Sequence, residues 1–416
     1  MADRARFAKN TGFQFALQIA KYIFPYLTLP YLTRTLGAEA YAVRAYVLAA
    51  MSFMLVFLDF GFNSYGIKAI ADAHDDLEQE CIESSAITYL RLLFCIVGAV
   101  ALVPITLFIP IMAANPLYVA ISYLTVCAKA LLPDFFFQGK EEMAIITKRF
   151  VLSEAVATAL VFLIIKGPES LLWVPVLETL AAVIALVWSW ASVVFDYKIT
   201  MVKVPVEKLV SVIEGSAVFF IATAATTVFS SLTTLMIGYY ITDKTQISFW
   251  SVAMTAVTAV QALYAPIATS LYPHMVKNKD YTLLKNLLLV GMPVDIIGTI
   301  VFSQLGETIM LVLGGPEYVP GAYLIPYIAP IFVFSFPAVM IGYPLLAAVG
   351  EVKELTVTSV VSALFNILGL AVLVWVDRFT MPAIAVLRCC TEAILLASRM
   401  YYVYRYFSRM RKEGTN

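Results

Sequence analysis

Residues 19–37 read IAKYIFPYLTLPYLTRTLG and lie in the first long apolar stretch of the chain. The stretch is hydrophobic enough for a membrane-spanning helix, yet it contains Lys21, Arg34 and two prolines, Pro25 and Pro30. A helix that only anchors a protein in lipid has no need of a cation, and a proline removes a backbone hydrogen bond inside a helix. The combination indicates a membrane helix that faces something other than lipid.

The composition of the whole chain agrees with a membrane location. Of its 416 residues, 61% are hydrophobic and 13% are charged, and the mean hydropathy is +0.87. Soluble domains have about 25% charged residues. The composition therefore predicts an all-α polytopic membrane protein. The net charge is zero, which gives no support for nucleic-acid binding.

The apolar runs predict about twelve transmembrane helices, because a helix needs about 20 apolar residues to cross a bilayer. A polar link near the chain midpoint divides them into an N-terminal six-helix lobe, residues 1–205, and a C-terminal six-helix lobe, residues 206–416. The predicted spans are 12–33, 41–65, 86–109, 113–137, 149–166, 171–195, 213–241, 246–272, 284–313, 322–349, 355–376 and 382–404.

The distribution of Lys and Arg predicts the orientation, because cytoplasmic loops are enriched in these residues. With the N-terminus inside, nineteen of them lie in cytoplasmic segments and five in outside loops. We therefore expect both termini to be cytoplasmic.

Apart from these nineteen and five, four of the 28 Lys and Arg residues remain and lie deep in the predicted spans, namely Lys21, Arg91, Lys129 and Arg388. A cation at the bilayer centre costs about 2.5–3.5 kcal/mol on insertion scales, so it usually faces a bundle interior or water. The stripes around Lys21, Arg91 and Lys129 predict a cationic cavity face in the N-terminal lobe. On the first span, polar residues and a proline recur at helical spacing and form one face: Gln14, Gln18, Lys21, Pro25 and Thr28.

Two interpretations of these cations remain open. They could line a water-filled cavity that binds an anionic ligand, or they could pair with intramembrane carboxylates such as Glu154 and Glu178 and hold the bundle together. Four carboxylates, Glu154, Glu178, Asp295 and Glu392, are candidates for proton or sodium coupling or for such structural pairing.

Other residues of the N-terminal lobe also allow two interpretations. Pro25 and Pro30 are predicted hinges. Arg34 is either an anchor at the outer membrane interface or a gate contact for the ligand. The run Phe135–Phe137 either stacks on sugar rings or belongs to an interfacial aromatic belt.

No catalytic, cofactor or metal site is predicted. The sequence has no G-x-x-x-x-G-K-[ST] phosphate loop and no nucleophile–base–orienter set, and its five cysteines lack C-x-x-C spacing. Two histidines are too few for a histidine-based metal site. We therefore expect a protein that is not an enzyme and that needs no cofactor.

Three motifs in chain order resemble the polysaccharide transporter family. LPYLTRTLGAEAYAV (29–43) is similar to its P-Y-L-T-R-x-L-G-x-E-x-Y-G signature, and LDFGFNSYGIKAIA (58–71) resembles its D-F-G-F stretch. DFFFQGKEEMAIIT (134–147) resembles W-F-F-Q-G-x-E-x-M-x-x-I-T. The chain departs from the family pattern at Ala42, where Gly is usual, and at Phe135, where Trp is usual.

This resemblance implies the superfamily that also contains multidrug extrusion antiporters and peptidoglycan lipid flippases. It implies two lobes in a V shape with alternating access. The expected cargo is a polyprenyl-diphosphate-linked oligosaccharide, moved across the bacterial inner membrane for surface polysaccharide such as O-antigen. Membrane lipids and polysaccharide polymerase or assembly proteins are the expected partners. With this cargo, the predicted substrate-binding residues are Gln14, Gln18, Lys21, Thr28, Arg34, Arg91 and Lys129.

Two other functions stay open. An ion-coupled small-molecule antiporter of the drug-extrusion type would be expected to have a carboxylate-centred site. A membrane enzyme acting on lipid-linked sugars would be expected to have a large outer loop or an acidic catalytic pair, and the outer loops here are short.

Overall fold

The computed structural model describes residues 2–73, 76–227 and 231–413. Within these ranges the chain is almost entirely helical and contains no strand. The helices are α1 (Ala2–Asp59), α2 (Phe62–Asp72), α3 (Leu77–Phe108), α4 (Pro110–Ala113), α5 (Pro116–Ala130), α6 (Asp134–Gly139), α7 (Met143–Ile164), α8 (Trp173–Ala191), α9 (Val206–Thr227), α10 (Thr233–Tyr240), α11 (Thr245–Gln261), α12 (Tyr264–Asn278), α13 (Tyr281–Gln304), α14 (Gly306–Leu313), α15 (Ile325–Ile328), α16 (Ile331–Ile341), α17 (Val352–Trp375) and α18 (Met381–Glu413).

Short segments of tighter or wider helix extend several of these elements. The segments Pro168–Ser170 and Pro316–Leu324 are 3₁₀-helical. The segments Ser192–Asp196 and Gly342–Ala347 are π-helical and continue α8 and α16.

The long helices are suited to cross a membrane, which confirms the predicted all-α polytopic class. In the described residues, nine helices are long and apolar enough to span a bilayer, or ten if a pair bent by 55° (Pro316–Ile328 and Ile331–Ala347) is one span. The first of them holds two predicted spans, and Gly37, with φ 75° and ψ 170°, breaks the helix between these spans. Helix α7 matches a further predicted span, but its three charges, Lys148, Arg149 and Glu154, lower its apolar character.

The chain divides into two compact units, Met1–Thr227 and Val228–Asn416. Helix α9 packs inside the first unit, where the ring of Phe220 stacks on Phe60 with centroids 4.5 Å apart. The predicted division into two six-helix lobes at residue 205 stays a prediction about how the membrane spans are grouped.

The first unit has a dense core where α2, α3, α6 and α9 meet. Phe62, Ile70 and the run Phe135–Phe137 are buried there. The chain enters α2 through Gly61, whose φ of 77° favours glycine. A Cβ on Gly61 would lie 2.5 Å from the Ser216 carbonyl oxygen, so only glycine allows this close approach of α2 to α9.

The core of the second unit lies between α12, α13, α16 and α18. Tyr264, Met340 and Leu345 are buried there, and the Tyr264 ring meets Phe336 with centroids 5.3 Å apart. A Cβ on Gly291 of α13 would lie 2.5 Å from the Phe336 ring. The missing side chain at this position lets α13 approach α16.

Candidate substrate-binding face

The predicted polar face of α1 is exposed in the structure. Gln14, Gln18 and Lys21 are exposed, and the neighbouring Leu17 and Ala20 are buried. Helix α1 is held against α7 by its apolar side. Contacts between the two helices include the ring pairs Phe24–Phe150 and Tyr31–Phe162. Thr147 Oγ1 also donates to the Phe13 carbonyl (2.9 Å).

Lys129, near the end of α5, is exposed like Lys21. Its side chain lies within Coulombic range of Glu154 on α7. Neither Lys21 nor Lys129 forms a hydrogen bond or ion pair with the part of the chain that the structure describes. Two lysines in membrane-depth helices are therefore open to an external partner.

Arg91 on α3 has different surroundings. Its side chain is 3% exposed and forms an ion pair with Asp59 at the end of α1 (2.5 Å). The guanidinium also donates to the Leu132 carbonyl (2.9 Å) and lies 5.3 Å from the centroid of the Phe135 ring. These contacts hold three segments together, and the predicted contact of Arg91 with substrate stays a prediction.

The predicted carboxylates have partners that the spacing of residues does not reveal. Glu178 on α8 pairs with Arg44 of α1 (3.3 Å). Glu392 on α18 pairs with Arg388 one turn earlier (3.0 Å). Asp295 on α13 accepts a hydrogen bond from Tyr264 (2.7 Å). Structural pairing is therefore observed for Glu178 and Glu392.

The predicted hinges lie inside continuous helix. Helix α1 passes through Pro25 and Pro30, and its non-helical residue is Gly37. Thr28 Oγ1 donates to the carbonyls of Phe24 (3.1 Å) and Pro25 (3.2 Å), so its hydroxyl supports the helix next to the first proline. The hinge role of the two prolines stays a prediction.

Arg34 is exposed, and its Nη1 lies 3.4 Å from the Pro30 carbonyl. This position is compatible with the interfacial anchor and with the gate contact, so both interpretations of Arg34 stay predictions.

The aromatic run of α6 corrects one expectation. Phe135, Phe136 and Phe137 are at most 1% exposed, and they pack in the core of the first unit. They are therefore not available to stack on sugar rings in this structure. A Cβ on Gly66 would lie 2.7 Å from the Phe135 ring, so the second and third sequence motifs meet at this point.

Ion pairs surround this core, and sequence reasoning missed them. Asp134 on α6 pairs with Arg149 on α7 (2.7 Å), and Glu83 on α3 pairs with Lys208 on α9 (2.5 Å). Glu80 pairs with Lys140. Asp134 and Lys140 lie in the third motif, which was the available signal, but the spacing of residues does not say which helices become neighbours.

Comparison with protein families agrees with the motifs. Residues 7–279 match the family described as "Polysaccharide biosynthesis protein". The chain belongs to this family. The match covers all three motifs, the polar face of α1 and the ion-pair network, so the resemblance seen in the sequence is confirmed.

Two bacterial relatives are similar to this chain beyond the residues of the family match. The chain is 23% identical over 402 residues to a protein of Escherichia coli (strain K12) named "Putative O-antigen transporter", covering 95% of this chain and 96% of the relative. A Shigella dysenteriae protein of the same name is 25% identical over 320 residues, covering 76% of this chain and 80% of the relative.

Two solved structures share the fold. One is an inward-facing multidrug resistance MATE family transporter of the MOP superfamily, with a TM-score of 0.73 at 11% identity, covering 96% of each chain. The other is the lipid II flippase MurJ in an inward closed conformation, with a TM-score of 0.72 at 13% identity, covering 95% of this chain and 87% of MurJ. At these identities the likeness concerns the fold alone.

Proposed function

We propose that this protein is a flippase. Its cargo is a polyprenyl-diphosphate-linked oligosaccharide, which it moves from the cytoplasmic to the outer leaflet of the bacterial inner membrane for surface polysaccharide synthesis. Membership of the polysaccharide biosynthesis family supports the pathway, and the names of the two bacterial relatives support transport as the activity.

The observation that carries the proposal is the difference between the four intramembrane cations. Arg91 and Arg388 are buried and paired with carboxylates. Lys21 and Lys129 are exposed, and no described residue forms an ion pair with either. An unpaired lysine ammonium in the hydrocarbon core is unfavourable in free energy. These two lysines therefore face water and an anionic ligand.

A diphosphate is a suitable partner for this face. It carries at least two negative charges and several acceptor oxygens, and a lysine ammonium donates strong charge-assisted hydrogen bonds to phosphate. Gln18 and Gln14, one and two turns before Lys21, have amide groups that can hydrogen-bond sugar hydroxyls. The polyprenyl chain stays in the surrounding lipid.

Alternating access of the two lobes would carry this face from one side of the membrane to the other. In this scheme both termini are cytoplasmic, Pro25 and Pro30 let α1 bend, and Arg34 meets the diphosphate near the outer side. Polymerase or assembly proteins would take over the exported unit.

The test is made in the native host, with the gene deleted and replaced by wild type, Lys21→Ala or Lys21→Arg. Surface polysaccharide and lipid-linked oligosaccharide in the inner leaflet are both quantified. A lost charge-assisted hydrogen bond costs about 1.5–3 kcal/mol, so we expect Lys21→Ala to lower export about ten-fold or more. Lys21→Arg keeps the charge and is expected to support export.

Lys244→Ala is the matched control, because Lys244 is an exposed lysine in a loop between helices. It is expected to behave like wild type. Unchanged lipid-linked oligosaccharide in the deletion strain would overturn the flippase proposal and favour small-molecule antiport.

A further inference from the structure

Asp295 lies at mid-membrane depth in the second unit. It is about 21 Å along α13, a helix of 24 residues and about 36 Å. Its partner Tyr264 begins α12, just after the break at residues 262–263 that separates α12 from α11. The Tyr264 hydroxyl donates to Asp295 Oδ1 (2.7 Å). A carboxylate beside a broken helix at this depth is an arrangement found at ion sites of membrane transporters.

The charge of this carboxylate is not compensated by the described residues. Asp295 Oδ2 is buried and has no hydrogen-bond partner among them, and Tyr264 is the only side chain among them that interacts with the carboxylate. Two arginines in the membrane-spanning part of α18 have other partners. Arg388 pairs with Glu392 (3.0 Å), and Arg399 donates to the Ala338 carbonyl (2.6 Å).

The remaining neighbours of the Tyr264–Asp295 pair are neutral or already paired. The Tyr264 hydroxyl also interacts with Ser335 of α16 and lies within Coulombic range of Glu392. Ser335 brings no charge, and Glu392 is compensated by Arg388. An ionised Asp295 would therefore place one uncompensated charge in a half-buried and mainly apolar site, which is costly.

A cavity of about 640 Å³ leads to this carboxyl group. It is lined by α11, α13, α14 and Phe332 of α16, and its lining is apolar except for Asp295, Thr299 and Thr308. The lining extends from Asp295 along the last part of α13 to Leu313 of α14. In the proposed orientation this end of α13 is the outer side of the membrane, so the cavity extends from Asp295 toward the outside.

We propose that Asp295 is the proton-binding carboxyl that couples export to the proton gradient. A proton that enters from the outer side binds Oδ2, the atom without a partner, while Oδ1 keeps its bond to Tyr264. Binding removes the buried charge, so the protonated and ionised forms favour different conformations of the protein. Release of the proton to the cytoplasm completes the cycle. This inference rests on the proposed flippase function and names its energy source.

The test uses the purified full-length protein in vesicles with a labelled polyprenyl-diphosphate oligosaccharide extracted from the host. Translocation is measured with and without a pH gradient, and exchange of labelled for unlabelled lipid is measured without any gradient. We expect the gradient to accelerate translocation by wild type. Asp295→Asn, which resembles the protonated form, is expected to fall to the gradient-free rate while retaining exchange.

Tyr264→Phe is a second variant for the case in which Asp295→Asn does not fold. It keeps the ring that packs on Phe336 and removes only the hydroxyl that positions Asp295. We expect it to shift the outside pH at which gradient-driven translocation is half-maximal, with the exchange rate unchanged. An unshifted pH profile would contradict the role of the pair.

The outcomes separate this inference from the flippase proposal. If wild type translocates no lipid-linked oligosaccharide, the flippase proposal is wrong. If wild type translocates the lipid but ignores the pH gradient, or if Asp295→Asn keeps the full response, only the proton site is wrong. Acceleration by a sodium gradient at clamped pH that depends on Asp295 would also overturn the proton assignment.

Discussion

Arg91 and Lys21 carry the same charge inside predicted spans, but their neighbours give them different roles. Arg91 has a carboxylate, a carbonyl and an aromatic ring around its guanidinium, and almost none of it is exposed. Lys21 is exposed and forms no hydrogen bond or ion pair with a described residue. Substitution of the first residue should therefore affect stability, and substitution of the second should affect ligand binding.

Arg91→Ala is predicted to destabilise the protein by about 3–5 kcal/mol, because it leaves the Asp59 carboxylate without its partner. Thermal denaturation of the detergent-solubilised protein measures the effect. Lys21→Ala is the matched comparison and is expected to change stability by less than about 0.5 kcal/mol. Equal loss of stability in both variants would contradict the division of the cations into two classes.

Gly61→Ala is predicted to destabilise the first unit, because the residue has φ 77° and its Cβ would lie 2.5 Å from the Ser216 carbonyl oxygen. The expected loss is about 1–3 kcal/mol for the backbone conformation alone. Gly12→Ala in α1, where a Cβ would meet nothing within 4 Å, is the control in the same thermal assay. The explanation fails if Gly61→Ala melts no lower than Gly12→Ala.

Single residues also mark the limit of sequence reasoning. The periodicity of α1 grouped Gln14, Gln18 and Lys21 on one face, and all three are exposed, but their contact with a substrate stays a prediction. It could not assign Asp59 to Arg91, because the two residues are 32 positions apart and their contact depends on helix packing. For the run Phe135–Phe137 the sequence left sugar stacking and an interfacial belt open, and it did not indicate the core position, because an apolar run has the same composition at a surface and in a core.

At the scale of elements, the link between α8 and α9 is fixed onto α3. The Val202 amide donates to the Ser85 hydroxyl (3.0 Å), and Lys208 at the start of α9 pairs with Glu83 (2.5 Å). Glu83 is buried, and its carboxylate accepts hydrogen bonds from Lys208 and from Gln79 Nε2 (3.2 Å). These contacts attach the first turn of α9 to α3.

A double-mutant cycle with Lys208→Met and Glu83→Gln tests this connection. We predict that each single variant is destabilised and that the double variant loses less than the sum, with a coupling energy of about 0.5–3 kcal/mol. Urea or thermal unfolding of the four proteins gives the coupling energy. Additive effects would mean that the contact contributes nothing to the attachment of α9.

The elements were predicted better than their contacts. Long apolar runs gave the membrane helices, since length and composition suffice for that purpose. Helix α7 was recognised in spite of its three charges, and the structure pairs Arg149 with Asp134. The close approach of α2 to α9 at Gly61 depends on the missing side chain of one residue and has no signature in the hydropathy.

At the scale of the whole molecule, the proposal requires both termini in the cytoplasm. Fusion of a fluorescent protein and of alkaline phosphatase to the C-terminus tests this orientation. The fluorescent fusion is expected to be bright and the phosphatase fusion inactive, because the phosphatase folds only outside the cytoplasm. High phosphatase activity would contradict the orientation derived from nineteen inside and five outside basic residues.

The most direct test of the flippase proposal is translocation by the purified protein in vesicles loaded with labelled polyprenyl-diphosphate oligosaccharide. The fraction of label that becomes accessible to an external sugar-modifying reagent is followed with time. Wild type and Lys21→Arg are predicted to expose the inner-leaflet lipid. Lys21→Ala combined with Lys129→Ala is predicted to fall to the rate of protein-free vesicles. Equal rates for wild type and this double variant would contradict the claim that the exposed lysines carry the diphosphate.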